Sequence, residues 1–155
     1  SVLNLDYVSN NFIENIKSQK MNKSYKIALL SAFVDNEGMK NILTYDEIVN
    51  SLKKYYSILR HREDLREIVD LESWGKNEYI SKMKETAMKY LPKEYFILDK
   101  TNETYRLCDE ISKYVSDLNF VKEYKEAVEF LENKYFDKAI REKVLKKKIT
   151  NKHQK

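Results

Sequence analysis

Glycine, proline, cysteine and arginine are scarce in this chain of 155 residues: two, one, one and five of them, against 24 lysines. The glycines, Gly38 and Gly75, stand far apart and neither opens a G-x-x-x-x-G-K-[ST] run, which excludes a Gly-rich phosphate loop and nucleotide binding by that route. A single Cys108 excludes an intrachain disulfide and a cysteine-based zinc site. With no signal peptide in view, the expectation is a reducing, cytoplasmic setting. No run approaches the roughly 18 uncharged apolar residues that a membrane-spanning helix needs. His61 and His153 are the only imidazoles. The chain opens on Ser1 rather than methionine, so the expectation is a piece of something longer.

What the chain has in quantity is charge and helical periodicity. Residues 138 to 155 carry eight Lys or Arg against Glu142 alone, a net +7, which leaves −3 for residues 1 to 137 within an overall +4. The basicity therefore belongs to the C-terminal tail. A terminal cationic segment can neutralise phosphates and release their counterions, which makes Lys143, Lys146, Lys147 and Lys148 candidate nucleic-acid contacts. A solvated helix end explains the same lysines, and an AT-rich coding sequence also favours lysine over arginine.

Length and apolar spacing predict a single domain over 1–155 in three parts: a flanking helix over 1–20, a core over 21–108 and C-terminal helices over 109–155. Val8, Phe12 and Ile16 follow one helical face of an opening segment, Leu5 to Lys17. Ser24 is expected to cap a helix through about Asp35, apolar on nearly every side and so central, with Gly38 in a left-handed position behind it. Ile42 and Leu43 form a short apolar piece before Thr44, which with Glu47 fits a capping box for a helix from Tyr45. That helix carries the stripe Ile48, Leu52, Tyr55 and Leu59, and Leu65, Ile68, Val69 and Leu71 make a further short set. A helix from Lys76 to Tyr90 should bury Ile80, Met83, Ala87 and Leu91, ending before Pro92. Two aromatic and β-branched runs, 95–98 and 104–108, flank a polar turn and predict a β-hairpin. Asp109 and Asp117 are expected to cap a short and a long final helix, the latter running on into the basic tail.

Helix, short strand, helix, helix and hairpin is the order of a winged helix, so the expected fold class is mainly α, a winged-helix-like domain with one β-hairpin and flanking terminal helices. The alternative is an α+β domain whose hairpin merely covers a core. In the winged-helix reading the helix over 76–90 is the reader, presenting Lys76, Asn77, Tyr79, Lys82 and Lys89 to nucleic acid. Glu78 and Glu85 on the same helix, and Asp99 and Glu103 against Lys100 at the wing tip, temper that charge.

Catalytic constellations are poor. His61 lies in His-Arg-Glu-Asp64, where neighbouring helical positions diverge and cannot converge on one metal. The pairs Asp46–Glu47 and Glu63–Asp64 are what charged helix surfaces produce routinely. Cys108, with no histidine near it in sequence, reads as a buried structural thiol. The expectation is a chain with no catalytic residue, no metal and no cofactor of its own.

Several segments carry a resemblance: Lys23-Ser-Tyr-Lys-Ile-Ala-Leu-Leu-Ser-Ala-Phe33, Thr44-Tyr-Asp-Glu-Ile48 running into Lys54-Tyr-Tyr-Ser57, His61-Arg-Glu-Asp-Leu65, Tyr95-Phe-Ile-Leu-Asp99 with Tyr105-Arg-Leu107, and Tyr124-Lys-Glu-Ala-Val128 with Tyr135-Phe136. Together, over about residues 20 to 140, they resemble the accessory region that follows the motor in bacterial superfamily 2 DEAD/DEAH-box helicases of the restriction and defence type. The resemblance implies a non-catalytic domain whose parent binds and hydrolyses ATP with Mg. Its partners would be the motor domains of the same chain and nucleic acid, DNA in preference to RNA. Two rivals remain: a protein-docking module of such a helicase or a defence complex, and a stand-alone winged-helix regulator.

Overall fold

In a computed structural model, the chain is described over residues 2–65 and 70–153, with side chains described over 7–65, 70–138 and 145–149. Ile68 and Val69, expected in a short apolar set, lie outside the described residues. The elements run α1 (Val2–Lys17), α2 (Tyr25–Ser31), β1 (Ile42–Thr44), α3 (Tyr45–Tyr56), α4 (Leu59–Arg62), a 3-10 turn (Leu71–Ser73), α5 (Lys76–Glu85), α6 (Ala87–Tyr90), β2 (Phe96–Asp99), β3 (Thr104–Leu107), α7 (Asp109–Ser112) and α8 (Leu118–His153). The protein is mainly helical with one small antiparallel sheet. Among the described residues no helix is long and apolar enough to cross a membrane.

The sheet is three-stranded in the order β1-β3-β2. Its register sets Leu43 opposite Tyr105 and Phe96 opposite Leu107, and because side chains alternate across a strand, these four share the face that is buried. Ile42, Arg106 and Ile97 line up across the other face. The hairpin turn is closed by the Asp99 carboxylate, which accepts from the Asn102 backbone N–H (2.9 Å) and amide (2.8 Å), and Glu103 takes the left-handed conformation at φ 54°.

Capping explains where several helices start. Thr44 and Glu47 form the expected reciprocal box on α3, and the Lys40 ammonium bonded to Glu47 holds that carboxyl below its ordinary range. The Asp117 Oδ1 accepts from the Asn119 and Phe120 N–H groups and so caps α8. Asp109, expected as a cap, is instead the first residue of α7 behind Cys108, and its carboxylate pairs with Arg106 at 3.2 Å.

Four further expectations are corrected. Ser24 stands before α2 but does not cap it, because its hydroxyl turns inward to meet the Tyr56 hydroxyl at 3.0 Å. α2 ends at Ser31 rather than near Asp35: Ala32, Phe33 and Val34 donate three residues back, tightening the last turn, and Val34 then bridges Met39 around a loop in which Gly38 has φ +150°. α3 stops at Tyr56, and Leu59, beyond the turn, is 73% exposed rather than part of the core stripe. The helix expected over 76–90 breaks at Thr86, whose N–H and hydroxyl both converge on the Lys82 carbonyl (3.1 and 2.6 Å). Back-bonding of this kind by a β-branched residue bends a helix.

The core gathers around Phe12 of α1, fully buried, with the rings of Tyr95 (5.1 Å), Phe96 (5.7 Å), Phe120 (5.9 Å) and Tyr124 (6.2 Å) about it. α1 is thus wedged between the hairpin and the first half of α8. Tyr124 adds a polar pin, its buried hydroxyl donating to the Leu30 carbonyl of α2 at 2.6 Å. Tyr124→Phe leaves that carbonyl with only the longer bond from the Phe33 N–H (3.3 Å) and should cost about 1 kcal/mol, read as a lowered urea midpoint at unchanged m-value; an unchanged midpoint would show that the bond contributes nothing net.

Candidate nucleic-acid interface

At 36 residues, α8 is about 54 Å long, far more than the core can cover. Phe120, Tyr124, Ala127, Val128, Leu131 and Phe136 are buried, and Phe136 is the last buried side chain described on the helix. Asp137, Lys138 and every described side chain from Leu145 to Ile149 are exposed. Lys146, Lys147 and Lys148 therefore stand on a helix that leaves the core, as a phosphate-contacting segment requires. Consecutive positions turn by about 100°, so the three fan around the axis instead of forming one line. The helix passes through Lys143, whose side chain lies outside the described set, as does that of His153.

The root of this projection is tied down by a polar cluster. The Tyr135 hydroxyl donates to Asp64 Oδ2 (2.6 Å) and to the Asn22 carbonyl (3.3 Å), and the same carboxylate oxygen accepts from the Ser24 N–H (3.2 Å). Lys23 Nζ reaches the Asp64 carbonyl at 3.1 Å. Burial, and after it the Asp64 charge, pushes the Tyr25 phenol up to about 12. Burial likewise lifts the Tyr56 phenol, so both hydroxyls stay protonated. One turn earlier, the His61 ring lies 3.9 Å from that of Tyr55 and 5.6 Å from that of Phe136. Its Nδ1 meets the Tyr55 carbonyl at 2.9 Å and its Nε2 sits 3.4 Å from Glu132 Oε2. Desolvation raises the Glu132 carboxyl above its ordinary range, with His61 and Arg60 pulling the other way. Arg60 pairs with Asp137 at 3.6 Å and lies over the Phe136 ring. Segment 60–64 thus clasps α8 at the point where it leaves the core.

The α5 face is less suited to phosphate. Lys76 is exposed but paired with Asp46 at 2.9 Å, and Asn77 is exposed beside it. Tyr79, expected on the polar face, is buried at 5.3 Å edge-on to Trp74, because it falls on the side that packs toward the 71–74 turn; this corrects its assignment as a contact residue. Lys82 is half-buried, 3.7 Å from Glu85, with its ammonium over the Tyr25 ring. Lys89 is exposed over the Tyr90 ring, but it lies on α6, beyond the break at Thr86, and not on one helix with Lys76. Glu78 is occupied in accepting from the Gly75 N–H. The structure therefore sets Lys76 beside Asn77 on α5 and puts Lys89 on a different helix.

Cys108 is half-buried rather than buried, since its backbone forms the start of α7 at the sheet's margin. Among the described residues no group of three or more His, Cys, Asp and Glu is placed to hold a metal ion. The sequence reading passed over two features. Asp64 looked like part of an ordinary charged run, and no local pattern marks its partners, 40 and 71 positions away. Lysines 17, 20, 23 and 26 do carry a signal, four cations in ten residues with no acid among them, which averaging the charge over residues 1–137 hid.

Asp64→Ala removes the acceptor for two donors at the root of α8. It should cost about 2–3 kcal/mol by chemical denaturation, and an unchanged midpoint would mean that the clasp is incidental. No protein-family model matches this sequence, and no curated protein or solved structure matches it either.

Proposed function

We propose that the chain is a non-catalytic, winged-helix-like accessory module of a DEAD/DEAH-box helicase, gripping nucleic acid beside the motor through the basic half of α8. ATP and Mg would belong to the motor. The element order α2, β1, α3, α5 and the β2–β3 hairpin, with β1 paired to β3, supports the winged-helix part of this reading. The observation that carries the binding role is reach: α8 carries exposed Lys146, Lys147 and Lys148 well beyond Phe136, the last buried side chain described on that helix. Its mechanism is phosphate neutralisation. Five arginines in the whole chain supply few of the bidentate guanine contacts that read sequence, so binding is expected to be sequence-tolerant, with DNA the preferred substrate.

A second reading, docking of a protein partner, draws on Leu145 and Ile149, one turn apart on α8 and 58% and 48% exposed. Salt separates the two. If the tail neutralises about five phosphates, log K against log salt should fall with a slope near −4.5 on duplex DNA. Changing Lys146, Lys147 and Lys148 together to Ala should flatten that slope, while Leu145→Ser with Ile149→Ser should leave it alone. No measurable affinity at low salt would reject the nucleic-acid reading and favour docking.

A further inference from the structure

Three clefts on the surface differ in charge. One, of about 460 Å³, is lined by Glu94, Asp109 and Glu110 with Arg106 as its only cation, and another, of about 270 Å³, by Glu14, Glu123 and Glu126 with Lys17 alone. The third, of about 380 Å³, lies between the 20–26 segment and the break after α5, and is lined by Lys20, Lys23 and Lys26 with no carboxylate among the described residues. Its size falls within the roughly 300–1,000 Å³ of small-molecule sites. The Thr86 break shapes one wall, because it turns α6 so that Thr86, Ala87 and Tyr90 face the lysines.

Lys26 is the telling member. It is half-buried, and its ammonium donates to two neutral acceptors, the Gln19 side-chain oxygen (3.1 Å) and the Lys20 carbonyl (3.0 Å). Among the described residues no carboxylate pairs with it. A desolvated cation held without a counter-charge is costly, and an arriving anion relieves that cost. Burial lowers the Lys26 pKa in the same sense. Tyr90, also in the lining, is 62% exposed, with the Lys89 ammonium over one face of its ring at 5.4 Å and the ring otherwise open to an incoming base. Tyr25 forms part of the wall.

Lysines and an exposed aromatic ring around one cleft are the groups that a nucleotide needs, phosphate to the lysines and base to the ring face. Building on the reading above, we propose that this cleft takes one unpaired nucleotide of a single strand, its base against Tyr90 and a phosphate at Lys20, Lys23 and Lys26. A base inside a duplex stack cannot reach such a ring, so the cleft selects unpaired strand where the α8 lysines do not. An acidic peptide would use the lysines but gain nothing from base stacking on Tyr90. The two surfaces are also neighbours: the Tyr135 hydroxyl bonds the carbonyl of Asn22, a residue of the cleft wall, at the root of the basic half of α8. A strand gripped along α8 is thereby led to the cleft.

The test is fluorescence anisotropy of the full chain with a labelled oligothymidylate of about a dozen nucleotides and, in parallel, with a duplex of equal length. Tyr90→Ala should weaken single-strand binding roughly 5- to 150-fold, leave the duplex unchanged and keep the salt slope, while Tyr90→Phe retains affinity. Lys26→Gln should reduce the single-strand slope by about 0.7, one phosphate contact. Tyr90 is exposed, so its variants should fold, which a thermal melt confirms. If the parent binds and the Lys146–Lys148 alanine variant weakens it but Tyr90→Ala does not, the cleft proposal falls and the accessory-module reading stands. If the parent binds neither strand form, both fall. Competition by polyglutamate with the same dependence on Tyr90 would overturn the nucleotide assignment in favour of an acidic protein.

Discussion

The seating of one half of α8 against α1 and α2 is the constraint on which the rest of the molecule depends. Phe12 is enclosed by rings from the hairpin and from α8, and Tyr124 reaches across to the Leu30 carbonyl. Buried aromatic area of this kind dominates the stability of a small core, and the phenol bond adds direction to it. Because Phe136 is the last buried side chain described on α8 and those described from Leu145 to Ile149 are exposed, the same helix carries these later residues away from the core. Packing and reach are two consequences of one rigid element.

The polar clasp at the root gives that projection a defined origin. Asp64 gathers Ser24 and Tyr135, and His61 is inserted between Tyr55 and Phe136, so segment 60–64 is bound to α8 by both hydrogen bonds and ring contact. The acidic groups of this region are thereby consumed in structure. Asp46 and Glu85 are likewise engaged with α5 lysines, while 17–26 and 143–148 carry lysines that outnumber nearby acids. The helix that sequence order alone nominates as reader consequently has two of its lysines, Lys76 and Lys82, already facing carboxylates.

Much of this was legible in the chain because local chemistry determines it. The Thr44–Glu47 box, the Asp117 cap, the hairpin around Asp99 to Glu103 and the stop at Pro92 all act within a few residues, and each stands where spacing places it. The errors arise where distant groups compete with a local rule. Ser24 has a capping residue's identity, but Tyr56 claims its hydroxyl. Tyr79 lies on a face that includes lysines, yet Trp74 offers it an apolar seat. Leu59 continues a stripe whose helix has already ended, and Thr86 breaks a helix by a bond that helical spacing does not reveal. The lysines of the cleft were hidden in the charge averaged over residues 1–137, and their pairing with Tyr90 exists only after the 20–26 segment and α6 meet.

Hydrogen–deuterium exchange of the full chain, free and with single-stranded DNA at low salt, tests the division of α8 most directly. The account predicts that added strand slows exchange over residues 138–149 and around the 20–26 segment, while the core-packed stretch 118–136 is unaltered. Slowing confined to α5 and the hairpin, with the basic half of α8 unaffected, would contradict it.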